Sequence, residues 1–238
     1  MTKQDTLYRI SYTIDIVFCI DCTSSMKNVL DMVKENALKF YQDIIDSMTK
    51  SGKCISCFRA KVVAFRDYIA DKESAMMISD FFKLPDQKDE FECYIRSLNA
   101  YGGGEDEPED GLEALAYAIR SDWNMEGMKR KQIIVVWTDA PTHSLGHGMC
   151  APGYPKNMAR NMMELRCWWG DKSNEGFVDQ RAKRLLLFAP DEPGWSDISN
   201  EWDNVIHFPV RPGEKLKEIR YSEIFRPKLH SLSYMPEM

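Results

Sequence analysis

The stretch "IDIVFCIDCTSSMKNVL" (residues 14–30) joins a run of strand-forming residues to a cluster of oxygen-bearing side chains. Residues 13–20 are mostly β-branched or aromatic with little polar alternation, which predicts a parallel strand buried on both faces. Four polar residues follow within five positions: Asp21, Thr23, Ser24 and Ser25. The helix that begins after them needs only one capping oxygen, so the surplus indicates a second role for this strand end.

Strands alternate with helical patterns along the rest of the chain. From Met26 to Met48 apolar residues recur at spacings of three and four, which predicts a helix of roughly twenty residues. Further strands are predicted at 54–68, 75–79, 131–141, 183–190 and 204–210, and further helices at 86–99, from Leu112, at 157–169, near Trp195–Trp202 and from Glu214 to about Phe225. This order predicts an α/β fold with a doubly wound, mainly parallel central sheet and helices on both faces. With neither repeat nor linker visible, we expect a single domain spanning residues 1–238.

The composition excludes several classes of function. The 238 residues are 44% hydrophobic, and 31 Lys and Arg against 37 Asp and Glu give a net charge of −6. This balance argues against nonspecific binding to nucleic acid or to an anionic membrane. The sequence shows no apolar span and no secretory signal, and an odd count of seven cysteines fits a reducing compartment. We therefore expect a cytoplasmic protein.

Three polar clusters fall where predicted strands end or helices begin, at Asp21–Ser25, Glu105–Glu109 and Asp139–His147. In a parallel sheet such positions converge at one edge. A hard divalent cation prefers oxygen ligands, and two hydroxyls two residues apart on a turn can reach one ion together. The pattern indicates a cation site there, with one of the hydroxyls left to cap the helix.

The motif Asp21-x-Thr23-x-Ser25 resembles the D-x-S/T-x-S signature of von Willebrand factor A (vWA) domains, in which it forms a metal-ion-dependent adhesion site. The resemblance implies that Thr23 and Ser25 bind the metal through side-chain oxygens. It also implies that Asp21 and Asp139 act directly or through water. The third loop of the family normally offers a Thr; here Asp106 takes that place, with the adjacent Glu105 and Glu107 as alternatives. The implied metal ligands are Asp21, Thr23, Ser25, Asp106 and Asp139.

The wording of "GGGEDEPEDGLEALAYAI" (102–119) and "WTDAPTH" (137–143) resembles bacterial vWA proteins associated with tellurite and stress resistance. The vWA module of some atypical kinases is also similar. The resemblance implies Mg²⁺, or else Mn²⁺ or Ca²⁺, and a protein partner whose acidic side chain completes the metal sphere. Kinase, phosphatase or stress-resistance components are the implied neighbours. An added carboxylate from Asp106 would weaken the attraction for that acidic side chain.

Other interpretations stay open at this point. The same ion could activate water as a phosphoester hydrolase, although no G-x-S-x-G, Walker or H-E-x-x-H motif is visible and we expect a protein that is not an enzyme. A metal-free interaction module is a further alternative. His143 and His147, with Cys150 three residues on, could bind a softer metal, or the histidines could contact a ligand, but loop histidines without a metal are commoner. Arg66 and Asp67 follow another strand end and could border the site, although an ordinary surface ion pair is the simpler interpretation.

Overall fold

The computed structural model describes residues 11–127, 129–171 and 173–210, in which strands and helices alternate except where β4 follows β3 and α4 follows α3. The strands are β1 (Ser11–Asp21), β2 (Cys54–Phe65), β3 (Met76–Ile78), β4 (Phe82–Leu84), β5 (Lys129–Trp137), β6 (Lys183–Ala189) and β7 (Val205–Pro209). The helices are α1 (Leu30–Lys50), α2 (Tyr68–Asp71), α3 (Lys88–Ser97), α4 (Gly111–Ile119), α5 (Met162–Trp169) and α6 (Trp195–Glu201). Two 3-10 helices lie at Ser24–Asn28 and Lys72–Ser74.

Strands β1 and β5 form the centre of the sheet. The strand order is β3-β2-β1-β5-β6-β7, in which β2, β1, β5, β6 and β7 run parallel and β3 and β4 pair antiparallel with β2. The chain first adds β2 on one side of β1 and later adds β5 on the other side, so the strand order reverses between β1 and β5. In open α/β sheets, ligands bind at the carboxyl ends of the strands beside such a reversal. The register pairs Ile20 with Trp137, which places Asp21 beside Thr138.

Two apolar layers cover the faces of the sheet. Ile14, Ile16, Phe18 and Ile20 of β1 belong to one layer, and Val17 and Cys19 to the other. Helices α1 and α3 cover the first layer, and α4, α5 and α6 cover the second. Phe18 stacks on Trp137 with ring centroids 5.5 Å apart and meets Phe40 edge to face at 5.5 Å. Burial on both faces explains why β1 carries an unbroken apolar run.

The fold class predicted from the pattern is confirmed, and the differences are local. Helix α1 begins at Leu30 because a 3-10 turn occupies the preceding residues. Helix α5 begins only at Met162, where the Asn161 side chain accepts a hydrogen bond from the Glu164 N–H. Strand β4 was not predicted, because three residues before Pro85 carry too little pattern. The closing helix predicted from Glu214 lies outside the described residues.

Helix α1 is the longest described helix, and charged residues line its exposed face. No described helix combines the length and apolarity that crossing a bilayer requires.

Candidate metal centre at the carboxyl end of the sheet

Asp21 is the most deeply placed group of the site. The residue is fully buried, and its Oδ1 accepts hydrogen bonds from the Thr23 N–H at 2.9 Å and the Thr23 hydroxyl at 2.6 Å. Its Oδ2 accepts a hydrogen bond from the Thr138 hydroxyl at 2.6 Å. Burial raises the pKa of Asp21 to about 6, although these hydrogen bonds oppose the shift. Three neutral donors therefore fix the orientation of the carboxylate, but they do not offset the cost of burying its negative charge.

The oxygen network continues from Asp21 to the surface. The Thr23 and Ser25 hydroxyl oxygens lie 3.1 Å apart, and the Ser25 hydroxyl donates to Asp139 Oδ1 at 2.7 Å. Thr23 is buried, Asp139 is half-buried and Ser25 is exposed. Four of the five predicted ligands are thus joined in one hydrogen-bonded chain that opens to solvent at Ser25.

The prediction that one of these hydroxyls caps the following helix is wrong. The 3-10 helix after β1 has no side-chain capping bond, and neither has α1. The Ser24 hydroxyl instead donates to the Gly102 carbonyl at 2.9 Å, while Thr23 and Ser25 bond within the oxygen network. None of these hydroxyls is therefore assigned to the helix.

Glu109 lies against the same network. Gly103 has φ +95°, and a Cβ built on it would lie 2.4 Å from Glu109 Oε1 and 2.8 Å from Thr23 Cβ. Glu109 Oε2 is buried without a hydrogen-bond partner among the described residues. Burial raises the pKa of Glu109 to about 10, and the nearby carboxylates of Asp21 and other acids add repulsion. Gly103 is required here because a side chain would displace both neighbours.

Arg66 holds the loops that surround the site. Its fully buried guanidinium donates to the carbonyls of Cys22, Ser74, Asn99 and Tyr101 over 2.9–3.1 Å. The guanidinium also lies over the Tyr101 ring, 3.8 Å from its centroid. The interpretation of Arg66 and Asp67 as an ordinary surface ion pair is wrong, because both side chains are buried and Arg66 binds backbone carbonyls.

The fifth predicted ligand, Asp106, makes a different contact. Its side chain is 57% exposed, and its Oδ2 lies 3.5 Å from His143 Nε2. His143 Nε2 also lies 3.0 Å from Asp67 Oδ2, and its ring stacks on His147 with centroids 3.9 Å apart. No described hydrogen bond or ion pair joins Asp106 to Thr23, Ser25 or Asp139. Its role as a ligand of the first cluster stays a prediction.

The sequence interpretation did not name Thr138 and Glu109 as site residues. Thr138 follows β5 directly, and parallel pairing of β1 with β5 would have placed it beside Asp21. Glu109 carried no local signal that separates it from the other acids of "GEDEPED" (104–110). Only the path of the loop brings Glu109 to Gly103 and turns Asp106 toward His143.

The arrangement can hold a hard cation. Hydroxyl and carboxylate oxygens from two strand ends converge, and within the described part of the chain neither Asp21 nor Glu109 forms an ion pair with a basic side chain. Such oxygens are what Mg²⁺ and Mn²⁺ prefer in proteins.

Comparisons with known proteins find similarity to one curated protein, to solved structures of an adhesin and to one family profile. The alpha-protein kinase vwkA of Dictyostelium discoideum is 24% identical over 147 residues, which cover 62% of this chain and 21% of the kinase. The chain therefore matches only about a fifth of the length of that relative.

Two structures of the pilus adhesin SpaC from Lactobacillus rhamnosus GG also align. The first has a TM-score of 0.49 and 14% identity, and covers 83% of this chain and 28% of the adhesin. The second, an open conformation, has a TM-score of 0.48 and 13% identity, and covers 84% of this chain and 28% of the adhesin.

The sequence profile described as the von Willebrand factor A domain matches residues 15–146, more than half of the chain. The match begins inside β1 and ends within the loop after β5, so it includes the whole oxygen network. This chain belongs to the von Willebrand factor A domain family.

Proposed function

We propose that this protein binds Mg²⁺ at the oxygen network and uses the bound ion to recognise a partner protein. One observation carries the proposal: hydrogen bonds of 2.6–3.1 Å connect Asp21, Thr23, Ser25, Asp139 and Thr138 from two strand ends of the sheet. Membership of the vWA family fits a protein-interaction module.

The donor set fits a hard divalent ion. Thr23 and Ser25 supply hydroxyl oxygens, and Asp21 and Asp139 supply carboxylates that bind directly or through water. Glu109 adds a buried carboxylate with one unpartnered oxygen. Because burial raises the pKa values of Asp21 and Glu109, a cation would relieve a cost that these carboxylates carry without it.

The exposed side of the network suits a partner. Ser25 is exposed and Asp139 half-buried, whereas Asp21 and Thr23 are closed off by the sheet. The bound ion would supply an open coordination position to an acidic side chain of the partner. The fixed loops around it hold the ligands in place, so that binding costs little reorganisation.

The proposed setting is a cytoplasmic scaffold beside kinase, phosphatase or stress-resistance components, as in bacterial vWA proteins associated with tellurite resistance. The similarity to a part of the kinase vwkA supports a signalling context. The role proposed for this chain is binding rather than catalysis.

Isothermal titration with Mg²⁺ and Mn²⁺ tests the metal site. Ser25→Ala removes a hydroxyl of the network, whereas Ser24→Ala removes a neighbouring hydroxyl that bonds only the Gly102 carbonyl. We expect Ser25→Ala to weaken Mg²⁺ binding at least about tenfold and Ser24→Ala to leave it nearly unchanged. Absence of binding heat in the unsubstituted protein would favour the metal-free interaction module.

Affinity capture from the native cell, with and without a chelator, tests the recognition step. We expect a partner that is retained with Mg²⁺, released by the chelator and not retained by Asp139→Asn. Asp139 is only half-buried, so this variant is expected to fold. Turnover of generic phosphoesters that Asp139→Asn abolishes would instead support the hydrolase.

A further inference from the structure

A second group of ligand-type side chains lies beside the oxygen network. Ligand atoms of Asp106, His143 and His147 lie within 4.8 Å of one another, as do those of Asp67, Asp110 and His143. His143 belongs to both sets, and its Nε2 faces Asp67 Oδ2 at 3.0 Å and Asp106 Oδ2 at 3.5 Å. We call these five residues the histidine cluster.

Backbone pairing fixes the cluster. Glu109 and Thr142 form an isolated parallel bridge, in which the Glu109 N–H donates to the Pro141 carbonyl and the His143 N–H donates to the Glu109 carbonyl. This short ladder holds the loop before α4 against the loop after β5. Helix α2 joins them, because the N–H of its first residue, Tyr68, donates to Asp110 Oδ2 at 2.6 Å.

Side-chain bonds orient two of the carboxylates behind His143. Asp67 Oδ1 accepts the Ala70 N–H at 2.6 Å, which leaves Oδ2 for His143. Asp110 is fully buried, and its Oδ1 has no hydrogen-bond partner among the described residues. A buried carboxylate oxygen without a partner is costly unless a ligand satisfies it.

We propose that the histidine cluster is a second metal site, which takes a borderline divalent ion of the Zn²⁺ type. His143, His147, Asp106 and Asp67 supply the four ligands, and Asp110 lies behind them with its unpartnered oxygen. Imidazole nitrogens together with carboxylates suit Zn²⁺, whereas the hydroxyl-rich first network suits Mg²⁺. In a tetrahedral zinc site neighbouring ligand atoms lie about 3.4 Å apart, close to the separation of Asp106 from His143.

The site is accessible and adjustable. His147 and Asp106 are exposed, while His143 and Asp110 are buried. The stacked rings of His143 and His147 require His147 to turn toward the shared ion, and Gly146, at φ +86° with open space around it, lies next to it. The buried half of the cluster is fixed, and the exposed half can close on the ion.

A simple Asp67–His143 hydrogen bond is the competing interpretation. It explains one contact of His143, but not the stacked His147, the approach of Asp106 or the unpartnered oxygen of Asp110. A shared ion accounts for the approach of His147 and Asp106 to His143, and its charge would stabilise the buried Asp110 carboxylate; the ring stacking is given up when His147 turns toward the ion.

Zinc titration in the presence of saturating Mg²⁺ tests the proposal. We expect the metal-free full chain to bind one equivalent of Zn²⁺ that excess Mg²⁺ does not displace. His147→Gln and Asp106→Asn, both at exposed positions, are each expected to weaken this binding at least about tenfold. The matched control is His207→Gln on β7, whose Nε2 contacts the Ala189 carbonyl. That variant should keep the zinc affinity.

The same titrations distinguish the zinc site from the magnesium site. His147→Gln should leave Mg²⁺ affinity unchanged, and Ser25→Ala should leave Zn²⁺ affinity unchanged. The proposal is overturned if the unsubstituted chain binds no Zn²⁺, or if excess Mg²⁺ displaces it one for one. It is also overturned if binding survives His147→Gln but is lost in Cys150→Ser, since the exposed thiol would then be the ligand. Circular dichroism of each variant confirms that it is folded.

Discussion

Replacing Arg66 with Met should destabilise the fold strongly, although the residue belongs to no apolar core. The side chain is fully buried, and its guanidinium donates to four backbone carbonyls from three segments: the residue after β1, the 3-10 helix at Lys72–Ser74 and the loop between α3 and α4. A methionine has nearly the same length but no donor. The carbonyls of Cys22, Ser74, Asn99 and Tyr101 would lose their charged partner together.

The magnitude follows from these contacts. A hydrogen bond to a charged group contributes about 1.5–3 kcal/mol, but burying the guanidinium offsets part of the sum. Some carbonyls also gain water when the loops relax. We therefore expect a loss of about 3–5 kcal/mol in the free energy of unfolding. For a domain of this size that corresponds to a fall in Tm of roughly 6–20 °C.

Urea unfolding followed by circular dichroism measures this loss. Arg66→Lys keeps the charge with a single nitrogen, so it should recover only part of the stability. The control is Arg96→Met on α3, where the side chain is 67% exposed and its ion pair with Glu92 is 4.0 Å long. That change should stay within about 0.5 kcal/mol. A loss below about 1 kcal/mol for Arg66→Met, with an unchanged slope in urea, would refute the reasoning.

Three further substitutions test other parts of the structure by urea unfolding. Gly103→Ala should lower the free energy of unfolding clearly more than Gly52→Ala. Both glycines have positive φ, which costs an alanine about 1–2 kcal/mol. Of these two positions, only Gly103 would bring the new Cβ within 3.0 Å of two site side chains. Equal losses would contradict the clash. Lys183→Ala should lower the free energy of unfolding by about 3–5 kcal/mol, since the buried Nζ contacts two carbonyls and the Asp203 carboxylate within 3.0 Å. Lys183→Met should lower it less, because methionine keeps the packing of the aliphatic chain. Phe18→Ala should cost about 3–5 kcal/mol and change the near-ultraviolet dichroism, because it empties the centre of an aromatic cluster; an unchanged spectrum would argue against that packing.

Much of the fold could be predicted because its elements are long and strongly patterned. β1 and β5 are apolar runs buried on both faces, and α1 repeats its apolar residues with helical spacing. The short strand β4 could not be predicted, because a few residues carry no recognisable pattern. The three residues of β4 form a strand only because β2 offers them an edge.

The candidate site likewise contains residues that the sequence predicts and residues that it does not. Asp21, Thr23 and Ser25 could be predicted because they follow one another on one turn, and Asp139 because it ends the central strand. The prediction of a hydroxyl cap was wrong because the Ser24 and Ser25 hydroxyls turn away from the helix to donate to the Gly102 carbonyl and the Asp139 carboxylate, so their oxygens do not reach its first N–H groups. From the sequence alone Arg66 is expected at the surface, because the loops that bury it come from distant parts of the chain.

The sequence by itself determined the order of the elements, the strand end that carries the hydroxyls and the family of the chain. Only the tertiary structure decided which acid meets which partner: Glu109 lies at Gly103 and Thr23, and Asp106 lies at His143. Asp67 and His143, 76 positions apart, meet for the same reason. Local spacing specifies neighbours along one strand or helix, whereas contacts between loops depend on strand order and on the backbone ladder between Glu109 and His143.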